Sequence, residues 1–203
     1  MHMVAPPKAW TVEEVLTLPW DGRRIDLIDR VLYVNGVEVP GGDLEHLDRS
    51  MTPSPSWPHQ LIVAEVGRRL DAFAEQQRAG TVIAFPTDIP IVPGVVVQPD
   101  IFVVPLVAGR SPRSWEEAGS LLLAIEVVSP STARRDRGQK RALYQQAGVP
   151  EYWIIDPEER RIERWKPGSD VGEILTTTIE WAPEGAAETL RLDIPSLFTR
   201  ALG

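Results

Sequence analysis

Two kinds of apolar spacing divide the centre of the chain into predicted helix and strand. After Pro58, side chains that suit one buried helix face recur at steps of three and four, until Gly80 ends the pattern. These positions are His59, Ile62, Val66, Leu70 and Phe73. Residues 81–85 are β-branched and aromatic and predict a strand. Residues 95–104 and 121–128 are nearly continuous apolar runs, as expected of strands covered on both faces.

The N-terminal part of the chain has the signals of short elements. A capping-box motif predicts a short helix that begins at Val12 and stops before Pro19. Residues 24–34 predict two short strands joined by a turn, and Asn35-Gly36 offers a second turn. Residues 40–58 are rich in Pro, Gly, Ser and Asp, and we expect a long loop there.

The C-terminal half predicts a further helix and a hairpin. Residues 133–147 follow Thr132, a suitable N-cap, and precede Gly148, which is placed to end the helix. Residues 151–156 and 161–166 then predict a hairpin. The order of helix, three strands, helix and strand predicts an α/β (α+β) fold, with a mixed central sheet flanked by helices.

Two carboxylates interrupt the apolar runs. Asp100 lies in the middle of residues 95–104, and Glu126 lies near the end of residues 121–128. A buried, unpaired, ionised carboxylate is costly, so such a group is paired, neutralised or bound to metal. Two carboxylates that converge at strand ends suit Mg²⁺ or Mn²⁺. The alternatives are a salt bridge to an arginine, or a carboxylate at the exposed end of its strand.

The helix after Glu126 supplies a candidate cation. Asp136, Lys140 and Tyr144 recur every four residues and share one face of the predicted helix. If that helix folds back along the sheet, the Lys140 ammonium can approach the carboxylate pair. The alternative is an exposed Lys140 that pairs with Asp136.

Two other polar residues are candidates. His59 opens its helix on the same face as Ile62, where it could serve the site or be a hydrogen-bonded residue at the border of the core. Asp26 alternates with Ile25 and Leu27, a pattern that favours a side chain facing solvent.

Charge and composition narrow the classes of function. A chain of 203 residues suits one domain, and the absence of cysteine excludes disulfides and thiolate metal sites. The net charge of −8 argues against non-specific coating of nucleic acid. Residues 132–141 nevertheless form a local basic run with Arg134, Arg135 and Arg137, which is either a phosphate-binding patch or a solvated helix face. No apolar run approaches the roughly 20 residues of a membrane helix, so we expect a cytoplasmic protein.

Several separated motifs occur in an order that resembles a known family. They are Gln98-Pro99-Asp100, AIEVVSPST over residues 124–132, the stripe of Asp136, Lys140 and Tyr144, and GVPEYWIIDP over residues 148–157. Together with the N-terminal half of the chain, they resemble the Uma-type putative restriction endonuclease family of the PD-(D/E)XK superfamily. The resemblance extends from about residue 10 to residue 198.

This resemblance implies a restriction-endonuclease-like αβββαβ core with an N-terminal β-hairpin extension. It implies a single nuclease-like domain over residues 1–203, with an N-terminal extension at 1–57, the core at 58–166 and a C-terminal sheet extension at 167–203.

The resemblance also implies the roles of individual residues. Asp100 and Glu126 would hold Mg²⁺ or Mn²⁺ with the backbone carbonyl of Val127, while Lys140 would be the catalytic lysine. His59 matches the histidine that opens the first long helix of the family. Asp26 stands where a Glu is usual in the family. Two departures are Val128, where the superfamily pattern has a lysine, and Arg30, where a glycine is usual; an insertion near residues 35–50 is a further difference.

The resulting hypothesis is a metal-dependent endonuclease that cleaves DNA, with Arg134, Arg135 and Arg137 on flanking phosphates and a homodimer as its assembly. The choice between DNA and RNA stays open. One rival is a catalytically inactive protein that binds nucleic acid on the same fold. Another is a carboxylate-dependent hydrolase such as a glycosidase.

Overall fold

The computed structural model describes residues 8–19, 22–39, 44 and 56–203. The helices are α1 (Val12–Leu16), α2 (Trp57–Gln77), α3 (Trp115–Ala118), α4 (Ala133–Arg135), α5 (Arg141–Gln146) and α6 (Ile194–Leu202), and a π-helical turn (Asp136–Lys140) joins α4 to α5. The strands are β1 (Ile25–Ile28), β2 (Val31–Val34), β3 (Val37–Glu38), β4 (Thr81–Ile83), β5 (Ile89–Val92), β6 (Val95–Val97), β7 (Ile101–Val104), β8 (Leu123–Val127), β9 (Tyr152–Asp156), β10 (Arg161–Trp165), β11 (Glu173–Leu175), β12 (Thr178–Trp181) and β13 (Leu190–Asp193).

The chain forms two compact units. The first consists of Met1–Pro55 and Thr87–Gln98, and the second of Ser56–Pro86 and Pro99–Gly203. The predicted loop at residues 40–58 lies almost entirely outside the described residues.

The first unit is an antiparallel sheet in the order β3-β2-β1-β6-β5. The hairpin predicted between residues 24 and 34 is confirmed: Asp29 and Arg30 both adopt positive φ, at 52° and 64°, as a tight two-residue turn requires. The capping box at Thr11 is also confirmed, and it begins α1 at Val12.

Asp26 lies in the core of the first unit, so the prediction that it faces solvent is wrong. Only 1% of its surface is exposed, because all four residues of β1 are buried. Its Oδ1 accepts a hydrogen bond of 2.9 Å from the Gln98 backbone N–H, and the Gln98 side chain accepts one of 2.9 Å from the Ile25 N–H. A strand covered on both faces cannot be recognised by alternation.

The second unit holds the predicted core. Its main sheet has the order β11-β10-β9-β8-β7-β4, in which β8 and β9 are parallel and the other pairs are antiparallel. Along the chain, α2, β4, β7, β8, the helix from α4 to α5, and β9 follow the αβββαβ order. The prediction of a mixed sheet flanked by helices is therefore confirmed.

Alternate residues of the central strands point to opposite faces of this sheet. On one face Ile101, Ile125 and Trp153 pack against α2 and α6. The helical positions in this core include Ile62, Val66, Leu70, Phe73, Leu197 and Phe198. The opposite face carries Glu126 and is covered by the helix from α4 to α5. The α2 pattern predicted from the sequence is thus confirmed, although the helix ends at Gln77, before Gly80, with Arg78 in the left-handed conformation.

Three local predictions need correction. The apolar run at residues 95–104 is two strands, because β6 belongs to the first unit and β7 to the second. Pro99 lies between them and has no N–H for a ladder bond. Residues 89–92 form a strand that was not predicted from the sequence, although they include Pro90. Thr132 does not cap the helix; its Oγ1 accepts a hydrogen bond of 3.1 Å from the Ser129 N–H in the preceding turn.

Within the described part of the chain, no helix combines the length and apolar character needed to cross a membrane.

Candidate active site

Glu126 is the centre of the candidate site. It lies in β8 with 1% of its surface exposed, on the sheet face that the helix from α4 to α5 covers. Its Oε1 accepts a hydrogen bond of 2.9 Å from Lys140 Nζ and another of 3.1 Å from the Tyr144 hydroxyl. This strand position therefore carries a buried carboxylate with two buried donors on one of its oxygens.

Lys140 is buried, not exposed. None of its surface is accessible, and it pairs with Glu126, so the alternative of a surface pair with Asp136 is wrong. Lys140 closes the π-helical turn, in which the Arg141 N–H donates to the carbonyl of Asp136, five residues earlier. Such a turn inserts an extra residue and changes the direction in which the following side chains project. From Lys140 onward the helix is regular, which brings both Lys140 and Tyr144 to Glu126.

Asp100 lies directly before β7 and is held by two donors. Its Oδ2 accepts a hydrogen bond of 2.7 Å from the Val127 N–H, and His59 Nε2 lies 3.2 Å from the same oxygen. An ionised carboxylate only accepts hydrogen bonds, so the His59 proton on Nε2 is directed to Asp100. His59 stands in the first turn of α2, and the helix cap at Ser56 fixes that turn.

The strand register relates the two carboxylates. Ile101 pairs with Ile125, and the Asp100 N–H donates to the Ile125 carbonyl at 3.1 Å. The ladder between β7 and β8 reaches the Ile101–Ile125 pair and does not extend to Asp100. The hydrogen bond from the Val127 N–H to Asp100 Oδ2 nevertheless puts the Asp100 carboxylate beside the residue that follows Glu126 in β8.

The donor set fits a hard divalent cation. Mg²⁺ is typically bound through one or two carboxylates, with water and substrate phosphates completing its coordination. Among the described residues, no group of three or more His, Cys, Asp or Glu side chains is arranged to hold a metal ion, and Asp100 and Glu126 are the two carboxylates predicted as ligands. The N–H and C=O of one strand residue point to the same neighbouring strand. The Val127 N–H bonds Asp100 Oδ2, so this residue lies beside the predicted carboxylate ligand.

The three arginines predicted to bind phosphate have different environments. Arg134 is exposed, whereas Arg135 is 8% exposed. Arg137 donates to Asp156 Oδ2 at 2.6 Å and to Glu163 Oε1 at 2.8 Å. Arg134 is therefore the arginine of this set that is most accessible to a nucleic acid backbone.

The ion pairs of Arg137 with Asp156 and Glu163 accompany shifts in the pKa values of Arg137 and Asp156. Hydrogen bonds to Glu163 raise the pKa of Arg137, and those to Asp156 add to the effect. Burial acts to raise the pKa of Asp156, but the backbone N–H of Glu159 and the Arg137 guanidinium outweigh it and hold that pKa below its usual value. This cluster fastens the π-helical turn to the β9–β10 hairpin.

Tyr144 is the site residue that sequence reasoning did not select. Its spacing of four from Lys140 was visible, but a tyrosine on a helix face is ordinarily part of the core. The structure shows that its hydroxyl reaches the same oxygen as Lys140. Asp26, by contrast, belongs to the first unit, and its contacts described above lie within that unit.

A helix-flanked mixed sheet of this order, with Asp100 and Glu126 on neighbouring strands, defines the restriction-endonuclease-like class of folds. The solved structure of "a putative nuclease belonging to DUF820 from Anabaena variabilis ATCC 29413" has the same fold, with a TM-score of 0.70 and 21% sequence identity. The similarity covers 95% of this chain and 99% of that one.

The family follows from the sequence. Residues 38–201 match the model of Uma2, described as "Putative restriction endonuclease", and the chain belongs to that family. The family match supports a nuclease and confirms the resemblance noted in the sequence. No curated protein matches the chain.

Proposed function

We propose that the protein is a metal-dependent endonuclease that hydrolyses phosphodiester bonds of nucleic acid, with DNA as the substrate. Mg²⁺ or Mn²⁺ would be held by Asp100, Glu126 and the Val127 carbonyl. The observation that carries the proposal is the buried Glu126–Lys140 pair, with Nζ at 2.9 Å from Oε1, one residue before Val127, whose N–H bonds Asp100 at 2.7 Å.

The chemistry requires both a cation and a proton-bearing group. A bound divalent ion would polarise a phosphoryl oxygen and lower the pKa of water in its coordination shell. Lys140 would turn its ammonium from Glu126 to the charge that grows on the phosphoryl group, or would orient the attacking water. Its burial favours this role, because a charged donor acts more strongly away from bulk solvent.

His59 acts on Asp100 in this proposal. The Nε2 contact at 3.2 Å and the Val127 N–H at 2.7 Å converge on Oδ2. Donors of this kind orient a metal-binding carboxylate and fix its rotamer. His59 thereby holds Asp100 in place for the cation.

The substrate backbone would be held by nearby arginines, of which Arg134 is exposed. Phosphate contacts of this kind position a nucleic acid without reading its sequence. Arg135 and Arg137 would also contact the backbone, and Arg137 in addition holds the π-helical turn through Asp156 and Glu163.

A homodimer would suit cleavage of both strands of a duplex. Residues 1–203 would form one nuclease-like domain, and the protein would be cytoplasmic.

One observation favours the rival of an inactive protein that binds nucleic acid. Val128, at the position where the superfamily pattern has a lysine, is a buried apolar residue. If Lys140 serves only to neutralise Glu126, the site would be a structural ion pair. The two readings differ in their need for metal, since the inactive protein would bind nucleic acid equally well in the presence of a chelator.

Calorimetric titration with Mn²⁺ and Mg²⁺ tests the proposal without a choice of substrate. The wild type should bind saturably, and Glu126→Gln should lose that binding. Glu163→Gln is the matched control, because Glu163 is also a buried carboxylate paired with a cation, Arg137. Equal binding by the wild type and Glu126→Gln, or no binding by either, would contradict the proposed metal site.

A further inference from the structure

Two stacked tyrosines lie under the candidate site, and their hydroxyls serve different partners. The rings of Tyr144 and Tyr152 are buried, with centroids 4.6 Å apart and an interplanar angle of 36°. The Tyr144 hydroxyl donates to Glu126 Oε1 at 3.1 Å. The Tyr152 hydroxyl donates to the backbone carbonyl of Asp136, also at 3.1 Å. The two residues are alike in packing, but Tyr144 is the one that bonds the carboxylate.

The two donors on Glu126 share one oxygen. Lys140 Nζ and the Tyr144 hydroxyl both donate to Oε1. A carboxylate oxygen offers about two acceptor positions, so this pair occupies Oε1. The rotation of the carboxylate is then fixed, and coordination of a cation by Glu126 is directed through Oε2.

We infer that Tyr144 is a positioning residue for the metal-binding carboxylate, an inference that rests on the proposed function. The Lys140 ammonium has three donors, and those that it turns to a reacting phosphate no longer hold Glu126. When the ammonium turns to the substrate, the Tyr144 hydroxyl keeps Oε1 bonded and the carboxylate in its orientation. A buried carboxylate needs such a donor. Because the hydroxyl is neutral, it leaves the full negative charge of Glu126 available to the cation.

The test compares Tyr144→Phe with Tyr152→Phe. Each removes one buried hydroxyl and keeps the ring in the stack, so both variants should remain folded and lose stability to a similar extent. Mn²⁺ affinity is measured by calorimetry, and independently by the shift of the urea midpoint that Mn²⁺ produces. Tyr144→Phe should weaken Mn²⁺ binding by about tenfold or more, the effect typical of losing a partner of a metal ligand. Tyr152→Phe should stay within about twofold of the wild type, since its hydroxyl donates to the backbone carbonyl of Asp136.

The outcomes separate this inference from the proposed function. If the wild type binds Mn²⁺, Glu126→Gln does not, and Tyr144→Phe binds as the wild type does, the positioning role is wrong while the proposed site stands. Equal weakening by both tyrosine variants would also overturn the role, because the loss would then follow from packing. If neither measurement shows Mn²⁺ binding by the wild type, both the proposed metal site and the positioning role of Tyr144 are wrong.

Discussion

Replacing Lys140 with Met tests the buried ion pair most sharply. Lys140 and Glu126 are 0% and 1% exposed, and Nζ lies 2.9 Å from Oε1. Methionine keeps the unbranched stem and removes the ammonium, so packing changes little and the carboxylate loses its counter-ion. Removing one partner of a buried ion pair costs about 3–5 kcal/mol, because the other charge stays buried and uncompensated.

The structure places the expected cost at the lower end of that range. Tyr144 still donates to Oε1 in the variant, so this hydrogen bond to the carboxylate survives. We expect Lys140→Met to lower the free energy of unfolding by about 3 kcal/mol. In urea this lowers the midpoint by about 1–3 M, given slopes of about 1–3 kcal/mol per M. The fluorescence of Trp153, which is fully buried in β9 beside β8, should report the transition together with the other tryptophans.

A second substitution distinguishes a lost pair from lost packing. Lys140→Met combined with Glu126→Gln removes both charges and keeps an acceptor for Tyr144. Since a buried ion pair and a neutral replacement of similar volume are often equally stable, the double variant should be more stable than Lys140→Met alone. The unfolding is measured without divalent ions at neutral pH. Additive costs, with the double variant the least stable protein, would refute the assignment of a charged pair.

Three further predictions concern residues outside this pair. The pKa of Asp156 is lowered in the folded state. Its contribution to stability is therefore present above the unfolded pKa of about 3.9 and is lost as the pH falls through the lower folded value. The difference in urea midpoint between the wild type and Asp156→Asn should shrink below about pH 4. Gly80→Ala should destabilise the protein by more than about 1 kcal/mol. The reason is that φ of Gly80 is +136° and the new Cβ would lie 2.7 Å from the Val104 carbonyl oxygen. The control Gly138→Ala, with open space around the new Cβ, should be neutral or stabilising in thermal unfolding. Arg134→Ala should reduce the slope of log affinity against log salt for duplex DNA by about 0.9, while Arg191→Ala, an exposed arginine on β13, should leave it unchanged.

The order of elements in the second unit was predictable because its signals are local. The spacing of Ile62, Val66 and Leu70 predicts one buried face of α2, and the apolar run around Glu126 predicts a strand. A carboxylate in such a run is rare enough to stand out, and the basic residue that follows on a helix face was the natural partner. The pattern thus selected Glu126, while spacing left an exposed Lys140 equally possible, and only the structure shows that Lys140 is buried against Glu126.

Other features depend on tertiary contacts that no local pattern contains. The run at residues 95–104 looks like one strand, since an apolar run does not show which sheet each half joins. Asp26 is buried although it alternates with apolar residues, because both faces of β1 are covered. The role of Tyr144 depends on a hydroxyl that points across to β8, and the ion pairs of Arg137 depend on the β9–β10 hairpin.

The central claim is that Asp100 and Glu126 hold a divalent ion that is needed to cleave nucleic acid. The most direct measurement is cleavage of supercoiled plasmid and single-stranded DNA by the wild type, Asp100→Asn and the control Glu163→Gln, each with Mg²⁺, Mn²⁺ or EDTA. Asp100→Asn keeps an oxygen that can accept the Val127 and His59 hydrogen bonds, so its fold should survive. We predict cleavage by the wild type and the control with metal, none in EDTA, and a loss of about a hundredfold or more in Asp100→Asn. Cleavage in EDTA, or cleavage by Asp100→Asn at the wild-type rate, would contradict the claim.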